Sequence, residues 1–229
     1  MDGANMITAF LPCRKGSQRI PDKNIKPFAG IDGGLLKIKL QQLIACKRID
    51  NIVVSSNDDR VLSFTESLNH SKITIDERAD HLGSNSTTTD ELIRYVPTLI
   101  DQGHILWTHV TSPFMNENDY TKLIEQYDES LKQGYDSLMT VLKVQGFIWS
   151  QSGPISYNRD ELKWPMTQNI DPLYEIDSGA FISSVENYLT FNDRIGDSPK
   201  LIEQEKVKSV DIDWPDDFDF AEALWQRKL

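Results

Sequence analysis

The fold of this chain is decided by residues 6–24, which read Met-Ile-Thr-Ala-Phe-Leu-Pro-Cys-Arg-Lys-Gly-Ser-Gln-Arg-Ile-Pro-Asp-Lys-Asn. The apolar run from Met6 to Leu11 predicts a strand that is buried on both faces, because it shows no polar alternation. A basic loop then leaves the carboxyl end of this strand, which is where open α/β sheets bind their ligands. The sequence therefore predicts a ligand site in the loop between Cys13 and Asn24.

This basic loop opposes the charge of the chain as a whole. The formal net charge is -11, yet the loop contains only one acid, Asp22. It holds five cations: Arg14, Lys15, Arg19, Lys23 and Lys26. One interpretation is a solvated basic loop. The other is an anion site, in which Gly16 lets the backbone approach a ligand and Ser17 supplies a hydroxyl. The loop lacks both common phosphate-binding patterns, Gly-x-x-x-x-Gly-Lys-[Ser/Thr] and Gly-x-Gly-x-x-Gly.

Composition argues against several classes of protein. An acidic chain with a pI near 4.8 lacks the broad basic face that duplex nucleic acid requires, so we expect no nucleic-acid partner. No apolar run approaches the roughly 20 residues of a membrane helix, and the start lacks a basic signal region. We therefore expect a cytoplasmic protein without a membrane partner. Two distant cysteines predict neither a disulfide framework nor a zinc site.

Strand and helix patterns alternate along the rest of the chain. Helical spacing begins at Leu36 and is followed by the β-branched run Asn51–Ser55, which predicts a parallel strand–helix–strand unit. Further strands are predicted at residues 73–75, 104–110, 137–144, 179–183 and 207–212. Helix starts are predicted at Asp58, Thr88 with Glu91, and Asn116 with Asp119, and a last helix carries Phe218, Ala221, Leu224 and Trp225. The alternation predicts one α/β domain over residues 1–229 with a mainly parallel central sheet.

One segment, at about residues 146–176, breaks this alternation. It holds scattered tryptophan, tyrosine and proline residues without a helical period. We interpret it as an inserted arm of short antiparallel strands and loops. Exposed aromatic side chains would suit a contact between subunits, whereas a lid over the site is the alternative of similar length.

Two acids near the end of the chain form the second candidate cluster. Asp211 and Asp213 are two residues apart on the predicted last strand, so their carboxylates should lie on the same face. There they could bind Mg²⁺, which prefers a few carboxylates together with substrate phosphates and water. The alternative is that Asp213 caps the last helix, whose first turn would hold Pro215, Asp216 and Asp217.

The loop pattern Arg14-x-x-Ser17-x-Arg19-x-Pro21-x-Lys23-Asn24 resembles that of the cytidylyltransferases that activate sialic acids, and of their relatives that act on 3-deoxy-manno-octulosonate. Three later segments resemble the same family in the same order. They are the loop at residues 82–87, Thr111-Ser112-Pro113, and residues 210–218, which read Val-Asp-Ile-Asp-Trp-Pro-Asp-Asp-Phe. The resemblance spans almost the whole chain and is weakest in the arm.

The resemblance implies a Rossmann-like nucleotidyltransferase fold, a homodimer formed through the arm, and transfer of CMP from CTP to a nonulosonic acid with Mg²⁺. The residues it places at the nucleotide are Arg14, Ser17, Arg19, Lys23, Asn24 and Ser84. It places His109 and Ser178 at the sugar and the metal on Asp211 and Asp213. The residues expected to carry catalysis are Arg14, Lys23 and Asp213.

Departures from the family pattern concern the sugar. His109 stands where the family has Gln, Met115 where it has Arg, and Ser178 where it has Asn. Gln18 replaces a frequent Lys, and Arg19 resembles the octulosonate branch. Different polar groups should select a different sugar. Three interpretations therefore stay open: an enzyme for sialic acid or a close analogue, an octulosonate-type synthetase, and a nucleotide-binding homologue with altered catalysis. His109 could bind the sugar or be a core histidine.

Overall fold

A computed structural model describes residues 3–84 and 86–228 of the protein. The strands are β1 Ile7–Cys13, β2 Asn51–Ser56, β3 Ile73–Glu77, β4 His104–Trp107, β5 Ser137–Val144, β6 Trp149–Ser150, β7 Gly153–Pro154, β8 Leu173–Ser184 and β9 Pro199–Glu203. The α-helices are α1 Gly34–Ala45, α2 Asp59–Ser67, α3 Thr89–Tyr95, α4 Glu117–Lys132, α5 Val185–Phe191 and α6 Pro215–Lys228.

Seven of the strands in the described ranges form one sheet, in the order β3-β2-β1-β4-β8-β5-β9. β8 runs antiparallel to its neighbours β4 and β5, whereas the other adjacent pairs are parallel. The prediction of an α/β fold with a mainly parallel central sheet is therefore confirmed.

Strand β1 lies inside the sheet, between β2 and β4, and separates two apolar layers. Ala9 and Leu11 face a cluster that includes side chains of α1, α4 and α6, while Phe10 faces a cluster with side chains of α3 and α5. Phe10 makes an edge contact with Trp107 on the neighbouring strand, at 4.8 Å between ring centroids. Because both faces are covered, the run without polar alternation is stable here, as predicted.

The predicted helix starts at Thr88 and Asn116 are confirmed by their hydrogen bonds. Thr88 accepts from the Glu91 amide, and the Glu91 carboxylate accepts from the Thr88 amide. Asn116 and Asp119 form the same reciprocal capping box at the start of α4. These caps satisfy amides that an α-helix leaves unpaired at its first turn.

The predicted strand over residues 207–212 is wrong. Residues 206–209 form a turn, in which the amides of Lys208 and Ser209 donate to the Glu205 carbonyl. The β-branched side chains Val207 and Val210 pack against the core from this irregular segment instead. The last strand is β9, which sequence analysis missed because its parallel pairing with β5 is a tertiary contact.

Strand β8 contains a bulge that faces one residue of β5. Met139 pairs with Phe181 and Val141 with Ile176, so residues 177–180 stand opposite Thr140 alone. Within the bulge, Ser178 adopts a left-handed conformation with φ 59°. A β-carbon on Gly179 would lie 2.6 Å from the sulfur of Met115, so a larger residue would have to displace this buried side chain. The bulge turns Ser178 out of the regular alternation of the strand.

The arm leaves the sheet after β5 and returns at β8. It holds the two-stranded ribbon of β6 and β7 and a cluster of rings, in which Phe147 contacts Tyr157 and Trp164. Leu173–Ile176, the last predicted arm residues, already belong to the long strand β8. None of the helices in residues 3–84 and 86–228 is both long and apolar enough to cross a bilayer.

Candidate active site

A cavity of about 640 Å³ opens beyond the carboxyl ends of β1 and β4. Its walls come from the basic loop, the loop after β3, the turn after β4, the β8 bulge and residues 211–213. Every residue that sequence analysis assigned to a site lines this one cavity: Arg14, Ser17, Arg19, Lys23, Asn24, Ser84, His109, Ser178, Asp211 and Asp213. The structure thus brings the candidates together, and their individual roles stay predictions.

The basic loop is fixed by bonds that keep its cations in place. The Asn24 side-chain amide donates to the Arg14 carbonyl at 3.1 Å, and the Lys15 amide donates to the Asn57 side chain at 2.9 Å. Ile20 is buried and anchors the middle of the loop in the core. A loop held at both ends and in its centre orders its charged groups before a ligand arrives.

Two loop cations bind the acid Asp213 directly. Lys23 Nζ lies 3.2 Å from one carboxylate oxygen of Asp213, and an Arg19 guanidinium nitrogen lies 3.3 Å from the other. Lys23 also donates to the Ile212 carbonyl at 2.8 Å, and Arg19 stacks on Trp214 at 4.7 Å from the ring centroid. The loop near the start of the chain and the segment near its end therefore form one charged wall.

Asp211 and Asp213 share the cavity, although the strand that should have aligned them is absent from residues 207–213. The Ile212 amide donates to the Thr111 carbonyl at 3.0 Å, and the Ile212 side chain is buried. With Ile212 directed into the core, its two neighbours are left on the opposite side. The alternation that we expected from a strand is therefore retained by an irregular segment bonded to the turn after β4.

The chemistry of this acid pair suits a cation. One carboxylate oxygen of Asp211 is buried without a hydrogen-bond partner. Burial raises the pKa of Asp211, a hydrogen bond from the Thr111 side chain opposes this rise, and the nearby negative charge of Asp213 adds to it. No group of three or more acidic, histidine or cysteine ligands occurs in the described ranges, so a metal here would take other ligands from substrate and water.

The Asp213 carboxylate does not cap helix α6, which was the alternative interpretation of this residue. Its bonds go to Arg19 and Lys23, as described above. The amides of Asp213 and Trp214 instead donate to the Asp217 carboxylate, at 3.0 and 2.8 Å. Asp217 therefore secures the start of α6 and leaves Asp213 for the cavity.

His109 is held by the protein through both ring nitrogens. The Trp107 indole, which can only donate, bonds Nε2 at 3.0 Å, so Nδ1 carries the proton and donates to the Ser178 carbonyl at 3.0 Å. Burial lowers the pKa of His109 to about 4. The ring is thus neutral and shapes the cavity wall, with the Ser178 bulge fixed behind it. This arrangement combines the two interpretations, since His109 is internally satisfied yet lines the site.

Two cavity arginines escaped sequence analysis. Arg78 is only 3% exposed, and its Nε and one terminal nitrogen have no partner. Burial lowers the pKa of Arg78, and the like charge of Arg14 adds to this effect. Arg194 also lines the cavity, where its guanidinium lies over the ring of Phe181. In the sequence, Arg78 stands in the charged run Asp76-Glu77-Arg78-Ala79-Asp80 and Arg194 follows Asp193. Both are therefore typical of solvated charged segments, and no local signal points to the cavity.

Met115, which departs from the family pattern, and Ser84, which agrees with it, also have a place in the structure. Met115 is fully buried against Gly179, so it fills the core beneath the bulge. The Ser84 hydroxyl bonds those of Ser86 and Thr87, at 2.9 Å each, which closes the loop after β3 on itself. Asn85, part of the loop that carries the family resemblance, lies outside the described residues.

The cavity therefore sets five cationic side chains of the described residues against two carboxylates, with a glycine-containing loop at the end of a central strand. The family model described as cytidylyltransferase matches residues 8–229. The chain belongs to the cytidylyltransferase family. That match covers the basic loop, the β8 bulge and both cavity acids, so it includes the whole candidate site.

Curated members of this family have similar sequences. An N-acylneuraminate cytidylyltransferase of Streptococcus agalactiae serotype V is 24% identical over 231 residues, covering 91% of this chain and 51% of the relative. N-acylneuraminate cytidylyltransferase B of Danio rerio is 28% identical over 223 residues, covering 90% and 49%. The chain thus spans about half the length of these relatives.

Solved structures show the same nucleotidyltransferase fold. CMP:2-keto-3-deoxy-manno-octonic acid synthetase complexed with CTP aligns with a TM-score of 0.68 and 13% identity, covering 98% of this chain and all of the other. The 4-diphosphocytidyl-2C-methyl-D-erythritol synthase of Anaerococcus prevotii aligns with a TM-score of 0.67 and 19% identity, covering 99% and 98%. At these identities the likeness shows the fold alone.

Proposed function

We propose that this protein transfers a cytidylyl group from CTP to the anomeric hydroxyl of a nonulosonic acid, sialic acid or a close analogue. The hydroxyl oxygen attacks the α-phosphorus of CTP and loses its proton, the bond from that phosphorus to the β-phosphate oxygen breaks, and pyrophosphate leaves. The observation that carries this proposal is the charged wall of Arg19, Lys23 and Asp213, at the mouth of a cavity in a cytidylyltransferase.

The residues of the chain would act mainly by holding charges in position. Arg14, Lys23 and Arg19 would bind the triphosphate, and the buried Arg78, which has unpaired nitrogens, would offer further donors. Charge on the leaving group grows during phosphoryl transfer, so cations fixed in advance lower the barrier without reorganising. Ser17, Asn24 and Ser84 line the same cavity and remain our candidates for contacts with the nucleotide.

We also propose that the reaction requires Mg²⁺ held by Asp211 and Asp213. The buried oxygen of Asp211 that lacks a partner supports this proposal, because an unpaired carboxylate in a polar cavity is stabilised by a cation. A bound Mg²⁺ would neutralise phosphate charge and lower the pKa of the attacking hydroxyl. Asp213 would have to exchange Lys23 or Arg19 for the ion. The exposed position of the Asp213 carboxylate permits this exchange.

The choice of a nonulosonic acid is supported by the names of the curated relatives, both N-acylneuraminate cytidylyltransferases. The sugar end of the cavity differs from the family pattern at His109 and Ser178, as described above. We therefore expect an acceptor with the same acid group and a different set of substituents. An octulosonate is the second candidate, favoured by Arg19 in the loop.

We further propose a homodimer in which the arm of each subunit meets the other. Large apolar side chains of the arm are exposed, and several are more than half accessible: Ile155, Leu162, Trp164 and Met166. Arg159 lies against both Trp149 and Trp164, at 5.3 and 5.2 Å, which keeps the rings spread on the surface. Exposed apolar and aromatic side chains of this kind are typical of the core of a protein–protein interface.

The decisive experiment measures pyrophosphate release from CTP and Mg²⁺ with a panel of sugar acids. The panel contains N-acetylneuraminic, deaminated neuraminic, legionaminic, pseudaminic and 3-deoxy-manno-octulosonic acids. We expect turnover with at least one nine-carbon acid, and none with other nucleoside triphosphates. Tight CTP binding without turnover on any acid would instead identify a homologue that has lost catalysis.

A further inference from the structure

Arg194 is a cavity residue that the proposed mechanism leaves without a task. It follows helix α5, which ends at Phe191, and the next residue, Asn192, reverses the chain in a left-handed conformation with φ 52°. This reversal carries Arg194 back to the wall of the cavity. Its position comes from a segment unrelated to the basic loop.

Aromatic rings hold the guanidinium of Arg194 in place. Its central carbon lies 3.6 Å from the ring centroid of Phe181 and 5.3 Å from that of Trp107. A guanidinium stacked on a ring keeps its N–H donors in its own plane, where they can bind a planar anion in two places. Within residues 3–84 and 86–228, no carboxylate forms an ion pair with Arg194.

The surroundings of Arg194 identify the part of the substrate that it meets. Trp107 bonds His109, and His109 bonds Ser178, so the arginine belongs to the wall that we assign to the sugar. Burial lowers the pKa of Arg194, and the nearby Tyr188 and Asp193 offset this effect only in part, so the environment favours a further anionic partner. Met115 is fully buried and uncharged, so it supplies no charge to this wall.

We infer that Arg194 binds the carboxylate of the acceptor sugar acid and so orients its anomeric hydroxyl toward the nucleotide. This inference rests on the proposed function, because it assumes an acidic sugar as the acceptor. The acid group is the feature that all candidate acceptors share, and a flat guanidinium supported by two rings matches a carboxylate in shape and charge. Arg194 is in this view a specificity residue for acids against neutral sugars.

The test compares each acid with its uncharged carboxamide in wild type and in two variants. Arg194→Met removes the charge and donors with similar length, and Arg194→Lys retains the charge but not the planar pair of donors. Arg48→Met is the matched control, because Arg48 pairs with Asp128 on the surface, outside the cavity. The acid used is the one that wild type turns over best.

We expect Arg194→Met to raise the KM of the acid by about 10- to 150-fold, the range of a charge-assisted pair. Discrimination between acid and carboxamide should fall by a similar factor. The Kd of CTP should change by less than about threefold. The KM of the acid for Arg194→Lys should lie between the values for wild type and Arg194→Met. Arg48→Met should behave like wild type in every measurement.

Undiminished discrimination in Arg194→Met would overturn the inference, even if the melting temperature falls, since that pattern describes a merely structural stack. Failure of the proposed function is distinguishable, because wild type would then turn over no acid. In that case, calorimetric titration of N-acetylneuraminic acid into the CTP-bound protein still decides. Weaker binding by Arg194→Met supports the inference, and equal or absent binding refutes it.

Discussion

Replacing Asp213 by asparagine should tighten the binding of CTP in the absence of metal while it abolishes most metal-dependent turnover. In the structure, the Asp213 carboxylate neutralises Lys23 at 3.2 Å and Arg19 at 3.3 Å. A triphosphate that binds without metal must compete with this carboxylate for the same two cations. Asp213→Asn removes the competitor and leaves both cations available.

The expected gain follows from the exposure of the ion pairs. The side chains of Asp213 and Arg19 are 44% and 43% exposed, and Lys23, at 13%, meets the same exposed Asp213 carboxylate. Solvent screening at Asp213 therefore limits each pair to about 0.2–1 kcal/mol. Two pairs therefore amount to about 0.4–2 kcal/mol, and CTP should bind about 2- to 30-fold more tightly. Turnover with Mg²⁺ should fall by about 100-fold or more, since even indirect partners of a metal cost about 10- to 100-fold.

Fluorescence titration with CTP in EDTA measures the first effect, and pyrophosphate release measures the second. Asp22→Asn is the matched control, because it removes one negative charge from the basic loop, but the partner of Asp22 is Arg60, which Asp58 also binds, rather than a cavity cation. If Asp213→Asn binds CTP no more tightly than Asp22→Asn, the proposed competition is absent. Full turnover by Asp213→Asn would remove Asp213 from the metal site.

Three further predictions concern the fold and the arm. Burial lowers the pKa of Lys39 to about 7 from 10.5, so the unfolded chain binds the extra proton between these values and stability rises with pH. Urea unfolding of Lys39→Met should lose about 1.4 kcal/mol per pH unit of that rise; an unchanged slope would contradict the assignment. Gly34→Ala, whose β-carbon would lie 2.0 Å from the Lys26 carbonyl, should destabilise by about 2–5 kcal/mol. The unobstructed Gly134→Ala should cost about 1–2 kcal/mol in the same unfolding assay, and equal losses would refute this reason. Trp164→Glu should convert dimers to monomers in analytical ultracentrifugation, whereas Phe220→Glu, at a similarly exposed position on α6, should not.

The elements that sequence analysis predicted well are those with local signals. The capping boxes at Thr88 and Asn116 are satisfied within one helical turn, and β1 shows its double burial in its unbroken apolar run. The charge of the basic loop is likewise visible in the sequence. These features depend on neighbours a few residues away, so the pattern alone contains the required information.

The parts that sequence analysis missed depend on distant partners. Strand β9 exists because it pairs with β5, and its own residues, Pro-Lys-Leu-Ile-Glu, show little strand preference. Arg194 reaches the cavity only through the turn after α5 and its stack on Phe181. Asp211 and Asp213 were assigned to one face for a reason that proved wrong, since the bond of Ile212 to Thr111, rather than a strand, aligns them.

The bulge of β8 can change its side chains without changing how β8 pairs with its neighbouring strand. Strand pairs on both sides fix the register with β5, so residues 177–180 add length that the sheet itself does not use. Exchanging Ser178 therefore leaves the ladder of hydrogen bonds intact, and under the proposed function it would alter the surface offered to the acceptor. Because Ser178 has a left-handed backbone, the exchange should cost little stability only for residues that tolerate this conformation, such as Gly or Asn. Gly179 would have to be kept in such variants, because it packs directly against Met115.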